Sequence, residues 1–250
     1  MTLAAVVRAG LPQWQQFGAQ HLAVLGAALL SCACLVAYRR ELKASGTRVD
    51  VWLVAILATV HLAWVVAARV TGLAGIGDLL PLYTCDASVL VGVAWCVWKP
   101  RWLGQVLFVW AALGGVVTLL LPDTFGYALP HFAAVYTLVF HGLLLLLALE
   151  LWLVEGVHPT RSTFFVVSGV TALLVPPSLV ANARLDADYM FVSRDPGGIF
   201  TFVDHFSGAA RVLVMLGCGA ALLLVCLAVW HLLETLLRAR ELRRPDDGVR

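Results

Sequence analysis

Charge is what this sequence has little of. Only 13% of its 250 residues are Asp, Glu, Lys or Arg, against roughly 25% in an ordinary soluble domain. At the same time 61% are hydrophobic, and the mean hydropathy is +0.90. A chain so poor in charge cannot coat itself with polar surface, so a soluble globular fold is excluded. Neither sign dominates either. The 17 basic and 15 acidic residues give a net charge of +2, with no basic stripe of the kind that tracks phosphates, so nucleic acid is not an expected partner. Cysteine is present but poorly placed for crosslinks or zinc: Cys32, Cys34, Cys85, Cys96, Cys218 and Cys226 all fall in apolar runs, and no C-x-x-C pair occurs. There is no H-E-x-x-H or H-x₃-H spacing, so neither a metal nor a cofactor is expected. Lys43 and Lys99 are the only lysines, and none lies in the last apolar run, where a retinal Schiff base would need one.

What is there in abundance is helical membrane span. Apolar runs near 18–38, 51–70, 79–98, 102–121, 131–153, 163–183 and 209–233 are each close to the roughly 20 residues that carry a helix across a hydrocarbon core of about 30 Å. In that medium a single segment satisfies its own backbone only as a helix. The sequence therefore predicts an all-α polytopic membrane protein, with a single seven-helix transmembrane bundle over 18–237. A short segment 1–17 precedes the bundle and a basic tail 238–250 follows it. Five of the 17 Lys and Arg residues (Arg8, Arg69, Arg184, Arg194 and Arg211) fall on the N-terminal side and twelve on the other. By the positive-inside rule the N-terminus is expected outside and the tail in the cytoplasm, for a multi-pass protein of the plasma (inner) membrane. Residues 1–17 lack the basic and apolar layout of a cleaved signal, so the first run reads as a retained span.

Ionisable groups at membrane depth are costly and mark function by default. Four stand out: His61 in the second run, Cys85 with Asp86 in the third, and His141 in the fifth. With the third run starting near Leu79, Cys85 is expected about 9 Å below the outer surface, and His141 and His61 somewhat deeper. Thr137 lies one turn above His141, and Gly142 beside it is expected to admit a neighbouring backbone. Pro176-Pro177 should break the hydrogen-bond ladder of the sixth run and bend it. Asn182 follows toward the outer end, and the long loop after it, with Asp186, Asp188 and Tyr189, has the length of a lid. His131, at the water boundary, reads as a surface residue. Read from the residues alone, His61 and His141 are either interhelical hydrogen-bonding groups or parts of a site. Cys85 is either a small packing residue or a nucleophile near a base.

Four segments, LLPLYTCD (79–86), GGVVTLLLPD (114–123), VFHGLL (139–144) and NARLDADYMFVSRDP (182–196), resemble in order and spacing the YwaF-like membrane proteins that include transmembrane protein 164. The resemblance covers roughly residues 50–230. It implies a seven-helix membrane enzyme that moves acyl chains between phospholipids, with Cys85 as the catalytic cysteine and His141 as the histidine of the VFHG segment. Many relatives carry histidine two residues before the cysteine, where this chain has Tyr83. Relatives commonly read Asn-Tyr-Met where this chain reads Asp188-Tyr189-Met190.

Two functions follow as expectations. In the first, a CoA-independent phospholipid transacylase or lipase uses Cys85 as nucleophile and His141 as base, with His61, Asp86, Asn182 and Tyr189 lining the substrate site; phospholipid and lysophospholipid are its substrates. In the second, the same cavity belongs to a non-enzymatic carrier or receptor for a lipid or small ligand, and Cys85 is only packing.

Overall fold

The structure is a computed structural model that describes residues 12–192, 202, 203 and 205–242. Arg8, Arg194, the centre of the expected lid and the end of the basic tail lie outside the described residues. The described chain forms seven α-helices: α1 (Ala19–Ser45), α2 (Val49–Val70), α3 (Thr84–Trp98), α4 (Arg101–Leu120), α5 (Phe132–Leu153), α6 (Thr163–Leu185) and α7 (Gly208–Leu242), with single 3₁₀ turns at Ile76–Asp78 and Tyr189–Phe191. All but α3 are long and apolar enough to cross a membrane.

The core lies on α4 and α5. From Leu103 to Ala111 every residue of α4 is buried, because α5 packs along one side of it, α3 along another, and α6 and α7 along the rest. Helix α2 lies against α3 and α5, and α1 sits outside α5. Among the residues of α1 only His21 is buried; its remaining apolar surface suits lipid rather than protein. His21 fixes α1 in place, accepting the Phe17 N–H at Nδ1 (3.0 Å) and donating from Nε2 to the Leu119 carbonyl (2.7 Å) at the end of α4.

The start of α3 differs from the sequence expectation. The apolar run begins at Leu79, but the helix begins at Thr84. Residues 79–83 cannot join it: Asp78 Oδ2 accepts the Gly75 N–H (2.9 Å) and closes a separate 3₁₀ turn, and Pro81 then interrupts the chain. Gly77 is required here, since a Cβ at that position would stand 2.6 Å from the Leu185 carbonyl oxygen of α6. The consequence is a helix of 15 residues, about 22 Å long, whose N-terminus lies inside the bundle rather than at its rim.

Two smaller differences concern α6 and α7. Helix α6 continues through Pro176 and Pro177 as one element, although each proline still withholds an N–H from the ladder. Helix α7 runs on to Leu242, past the expected end of the last apolar run.

Candidate functional site

At the end of the bundle where α1 begins, α2, α3 and α5 bring three polar side chains together. His61 Nδ1 lies 3.1 Å from the Tyr136 hydroxyl, which in turn donates to Asp86 Oδ1 (3.4 Å). His61 Nδ1 and Asp86 Oδ1 are 3.6 Å apart, and each side chain is 17% exposed. With the tyrosine proton directed at the carboxylate, the hydroxyl oxygen is free to accept from an Nδ1–H tautomer of His61, so the three groups form a directed chain. Aromatic rings wall it in. Trp64 stacks on Tyr136 with centroids 4.5 Å apart, and Phe140 lies 5.6 Å from His61 and 5.2 Å from Tyr136.

Cys85 is the second residue of α3, directly before Asp86, and its sulfur packs on α4. A Cβ on Gly114 would stand 2.6 Å from Cys85 Sγ, so only glycine leaves room for the thiol. Six residues separate Gly114 from the last residue of α4, which places the thiol about 9 Å below that end. At the next residue, a Cβ on Gly115 would stand 2.8 Å from the Leu145 backbone nitrogen and 3.0 Å from the His141 carbonyl oxygen of α5. Cys85 from α3 and the backbone of His141 from α5 thus rest on adjacent glycines. Gly142, the expected point of close approach, faces open space: an added Cβ there meets nothing within 4 Å. The close approach belongs to the Gly114-Gly115 pair, because α4 rather than the lipid-facing side carries the packing.

His141 donates from Nδ1 to the Thr137 carbonyl one turn earlier (2.7 Å), which leaves Nε2 with its lone pair. Among the described residues no hydrogen bond joins Cys85 to His141. The thiol has other polar neighbours in the backbone. An α-helix leaves its first N–H groups without intrahelical partners, and those of Thr84, Cys85 and Asp86 have no hydrogen bond to another described residue; the first bonded amide is Ala87, to Tyr83 O (2.9 Å).

The remaining predicted residues build the wall beside this helix start. Asn182 Nδ2 donates to the Tyr189 carbonyl (3.1 Å) while Tyr189 N–H donates to Asn182 Oδ1 (2.7 Å), and the Tyr189 hydroxyl accepts the Leu80 N–H (2.7 Å). Burial pushes the Tyr189 phenol up to about 12, so it stays neutral. The Tyr83 hydroxyl donates to the Asp188 carbonyl (2.9 Å). The two positions at which the chain departs from the resembled pattern, Tyr83 and Asp188, therefore touch each other. Between residues 80–82 and α6 lies an apolar groove of ≈ 480 Å³, lined by Leu80, Pro81, Leu82, Pro177, Val180 and the apolar stem of Arg184. His131 caps α5 by accepting the Ala133 N–H at Nδ1 (3.2 Å), with its ring 3.8 Å from that of Tyr127.

Two residues gain a role only in the assembled structure. Tyr136, which links His61 to Asp86, is one aromatic among many in a membrane helix, and its role shows only once α2, α3 and α5 are assembled. Glu150 at the opposite end of α5 is fully buried, and here the signal is present in the sequence: an acid inside the run LLLLLALELWL.

No solved structure matches the chain, and no curated protein does. The likeness lies instead with a whole family and spans nearly the entire bundle, from before α1 into α7: over residues 16–232 the chain fits, and belongs to, the TMEM164 family.

Proposed function

We propose that this protein is a cysteine-dependent lipid acyltransferase or lipase of the plasma membrane, acting at the end of the bundle where α1 begins and facing the outer leaflet. The observation that carries the reading is Cys85 as the second residue of a helix that starts inside the bundle, with three unspent backbone N–H groups around it. Such groups are suited to hold the oxyanion of an acyl-transfer intermediate. The apolar groove beside residues 80–82 has room for part of an acyl chain.

In the reaction, His141 Nε2 takes the thiol proton, directly or through one water, and Cys85 Sγ attacks the ester carbonyl of a glycerophospholipid. The tetrahedral intermediate collapses with cleavage of the ester C–O bond, and the departing lysolipid oxygen takes the proton from His141. The acyl thioester on Cys85 then passes to the hydroxyl of a lysophospholipid, or to water, which restores the thiol. Asp86, Tyr136 and His61 hold the first turn of α3 in position. The donor is a lipid, since a site open to the outer leaflet has no access to cytosolic acyl-CoA.

A binding-only reading has one observation in its favour, the lack of a hydrogen bond between Cys85 and His141 among the described residues. One experiment separates the two. Purified protein is placed in liposomes with a phospholipid and an isotopically labelled lysophospholipid, and the products are followed by mass spectrometry. Label in diacyl product with native protein and not with Cys85→Ala supports the transacylase; cysteine-dependent free fatty acid supports the lipase. Turnover that survives in Cys85→Ala removes the proposed mechanism, and no turnover with any headgroup leaves the carrier or receptor.

A further inference from the structure

The opposite end of the bundle carries a second set of charged groups that the acyl-transfer reading does not use. Arg48, which caps α2, donates from Nε to Asp50 Oδ1 (3.0 Å) and from Nη2 to Asp50 Oδ2 (3.1 Å) and the Cys96 carbonyl (3.2 Å). Lys99, the residue that ends α3, reaches Asp50 Oδ2 (3.2 Å) and pairs with Glu155. The chain turns sharply after α5, with the Glu155 N–H bonded to the Glu150 carbonyl (3.2 Å), and this brings Glu150 into the group. One oxygen from each of Asp50, Glu150 and Glu155 lies within 4.8 Å of the others.

Glu150 is the anomaly. Its side chain is 0% exposed, and neither carboxylate oxygen has a hydrogen-bond partner among the described residues. A buried acceptor pair left wholly unsatisfied is rare and calls for a missing partner. The cluster atoms gathered with it are carboxylate oxygens of Asp50 and Glu155, so a cation is the partner that would satisfy all three acids together. Charge decides which kind. Three carboxylates against Arg48 and Lys99 leave one negative charge over. A divalent ion in place of the Lys99 ammonium gives three positive charges against three negative. Lys99 can make that exchange, because its side chain is 31% exposed and its long stem reaches water from a helix end.

We propose that Asp50, Glu150 and Glu155 form a binding site for a hard divalent cation of the calcium class, which displaces the Lys99 ammonium. All-oxygen donation selects calcium or manganese over softer metals. The spread of the three oxygens is one that an ion at about 2.3–2.6 Å from each can bridge, with water filling its remaining positions. Bound there, the ion ties the start of α2 to the end of α5 and frees Lys99 for the membrane surface.

Terbium luminescence tests this directly. Trp95 lies beside the site, its ring centre 5.4 Å from Lys99 Nζ, and is placed to sensitise Tb³⁺. Full-length protein in a neutral detergent, which avoids anionic lipid, is titrated with Tb³⁺ under tryptophan excitation and then with Ca²⁺ as competitor. The expected result is a saturable signal that Ca²⁺ displaces, weakened at least tenfold in affinity by Glu150→Gln. In Lys99→Gln, where the competitor for the site is gone, Ca²⁺ should bind about tenfold more tightly. Ca²⁺ should also raise the thermal midpoint of the native protein and leave that of Glu150→Gln unmoved, a reading independent of luminescence. A signal that does not saturate, or is equal in native protein and Glu150→Gln, overturns the site; so does weaker Ca²⁺ binding in Lys99→Gln, which would make the ammonium a fixed counter-charge.

Discussion

The two ends of this bundle handle buried polarity in opposite ways. Where α1 begins, polar groups are few and uncrowded: His61, Tyr136 and Asp86 share hydrogen bonds of 3.1 and 3.4 Å, and the first N–H groups of α3 are left unspent. Glycine admits close approach at both ends, at Gly77, Gly114 and Gly115 here and at Gly104 against Trp95 at the other. At the other end the polar groups are full charges in close pairs, Arg48 and Lys99 on Asp50 and Lys99 on Glu155. A charge-paired cluster fixes the ends of helices, and a sparse one leaves capacity for something else to bind. The proposed acyl transfer draws on the unspent groups of the first end, and at the second end Glu150 is the unsatisfied acid among the described residues.

The sharpest way to break this comparison is to fill the glycine beside the thiol. In Gly114→Ala the new methyl would stand 2.6 Å from Cys85 Sγ, so the thiol has to move. A displacement of about 1 Å at a reacting atom costs on the order of 10²-fold in rate, and lipid turnover should fall by about that factor while the helical content is unchanged. Gly142→Ala is the control. Its methyl meets nothing within 4 Å, and turnover should match the native rate. Equal loss in both variants would show that thiol packing is not what the end of α4 provides.

Next in size is Tyr136→Phe. The ring and its stacking on Trp64 at 4.5 Å stay, but both hydrogen bonds through the hydroxyl are lost. A net hydrogen bond is worth about 0.5–1.5 kcal/mol, and a loss of about 1.4 kcal/mol in positioning is tenfold in rate. Lipid turnover should drop about tenfold, with thermal stability lowered by about 1–2 kcal/mol. A variant that loses stability alone would make Tyr136 an interhelical tie with no bearing on Cys85.

Much of the fold is legible in the hydropathy pattern. It locates all seven of the described helices, since a span satisfies its own backbone and needs no partner to be recognised. What it misses is the start of α3, because Leu79, Leu80 and Leu82 are as apolar as a helix requires, and what keeps them out of one is a turn closed by Asp78 and a contact from Gly77 to α6. The site is half legible for a related reason. His61 and Asp86 announce themselves by their cost in a membrane, yet nothing along the chain says that they meet, and sequence reasoning pairs Cys85 with His141 instead. Those two rest on neighbouring glycines with no hydrogen bond between them, an outcome set by which face of α4 each helix packs on.

The charged end predicts a smaller effect and a different observable. Arg48→Ala removes the two-pronged contact to Asp50, but Lys99 still pairs with that carboxylate, and the Arg48 side chain is 47% exposed. Asp50 is fully buried, so the contact is only partly screened, yet Lys99 continues to neutralise the carboxylate; thermal stability should fall by about 1 kcal/mol, and lipid turnover per folded molecule should not change. Lost turnover at constant stability would mean that the two ends are coupled.

The smallest effect lies at the rim of the first end and depends on pH. His131 caps α5 by accepting the Ala133 N–H at Nδ1 (3.2 Å), a role open only to the neutral ring. Desolvation holds its pKa below the ordinary histidine value of 6.5. The folded protein therefore binds fewer protons there than the unfolded chain, and stability from this residue is present above the ordinary value and declines as pH falls below it. Amide exchange at Ala133 should quicken between pH 7 and about pH 5 once the intrinsic pH dependence of exchange is removed. His131→Asn keeps a capping acceptor that does not titrate, so the same amide should stay protected across that range. If protection falls equally in both, the loss of order comes from elsewhere at this end, and the cap at His131 is not its cause.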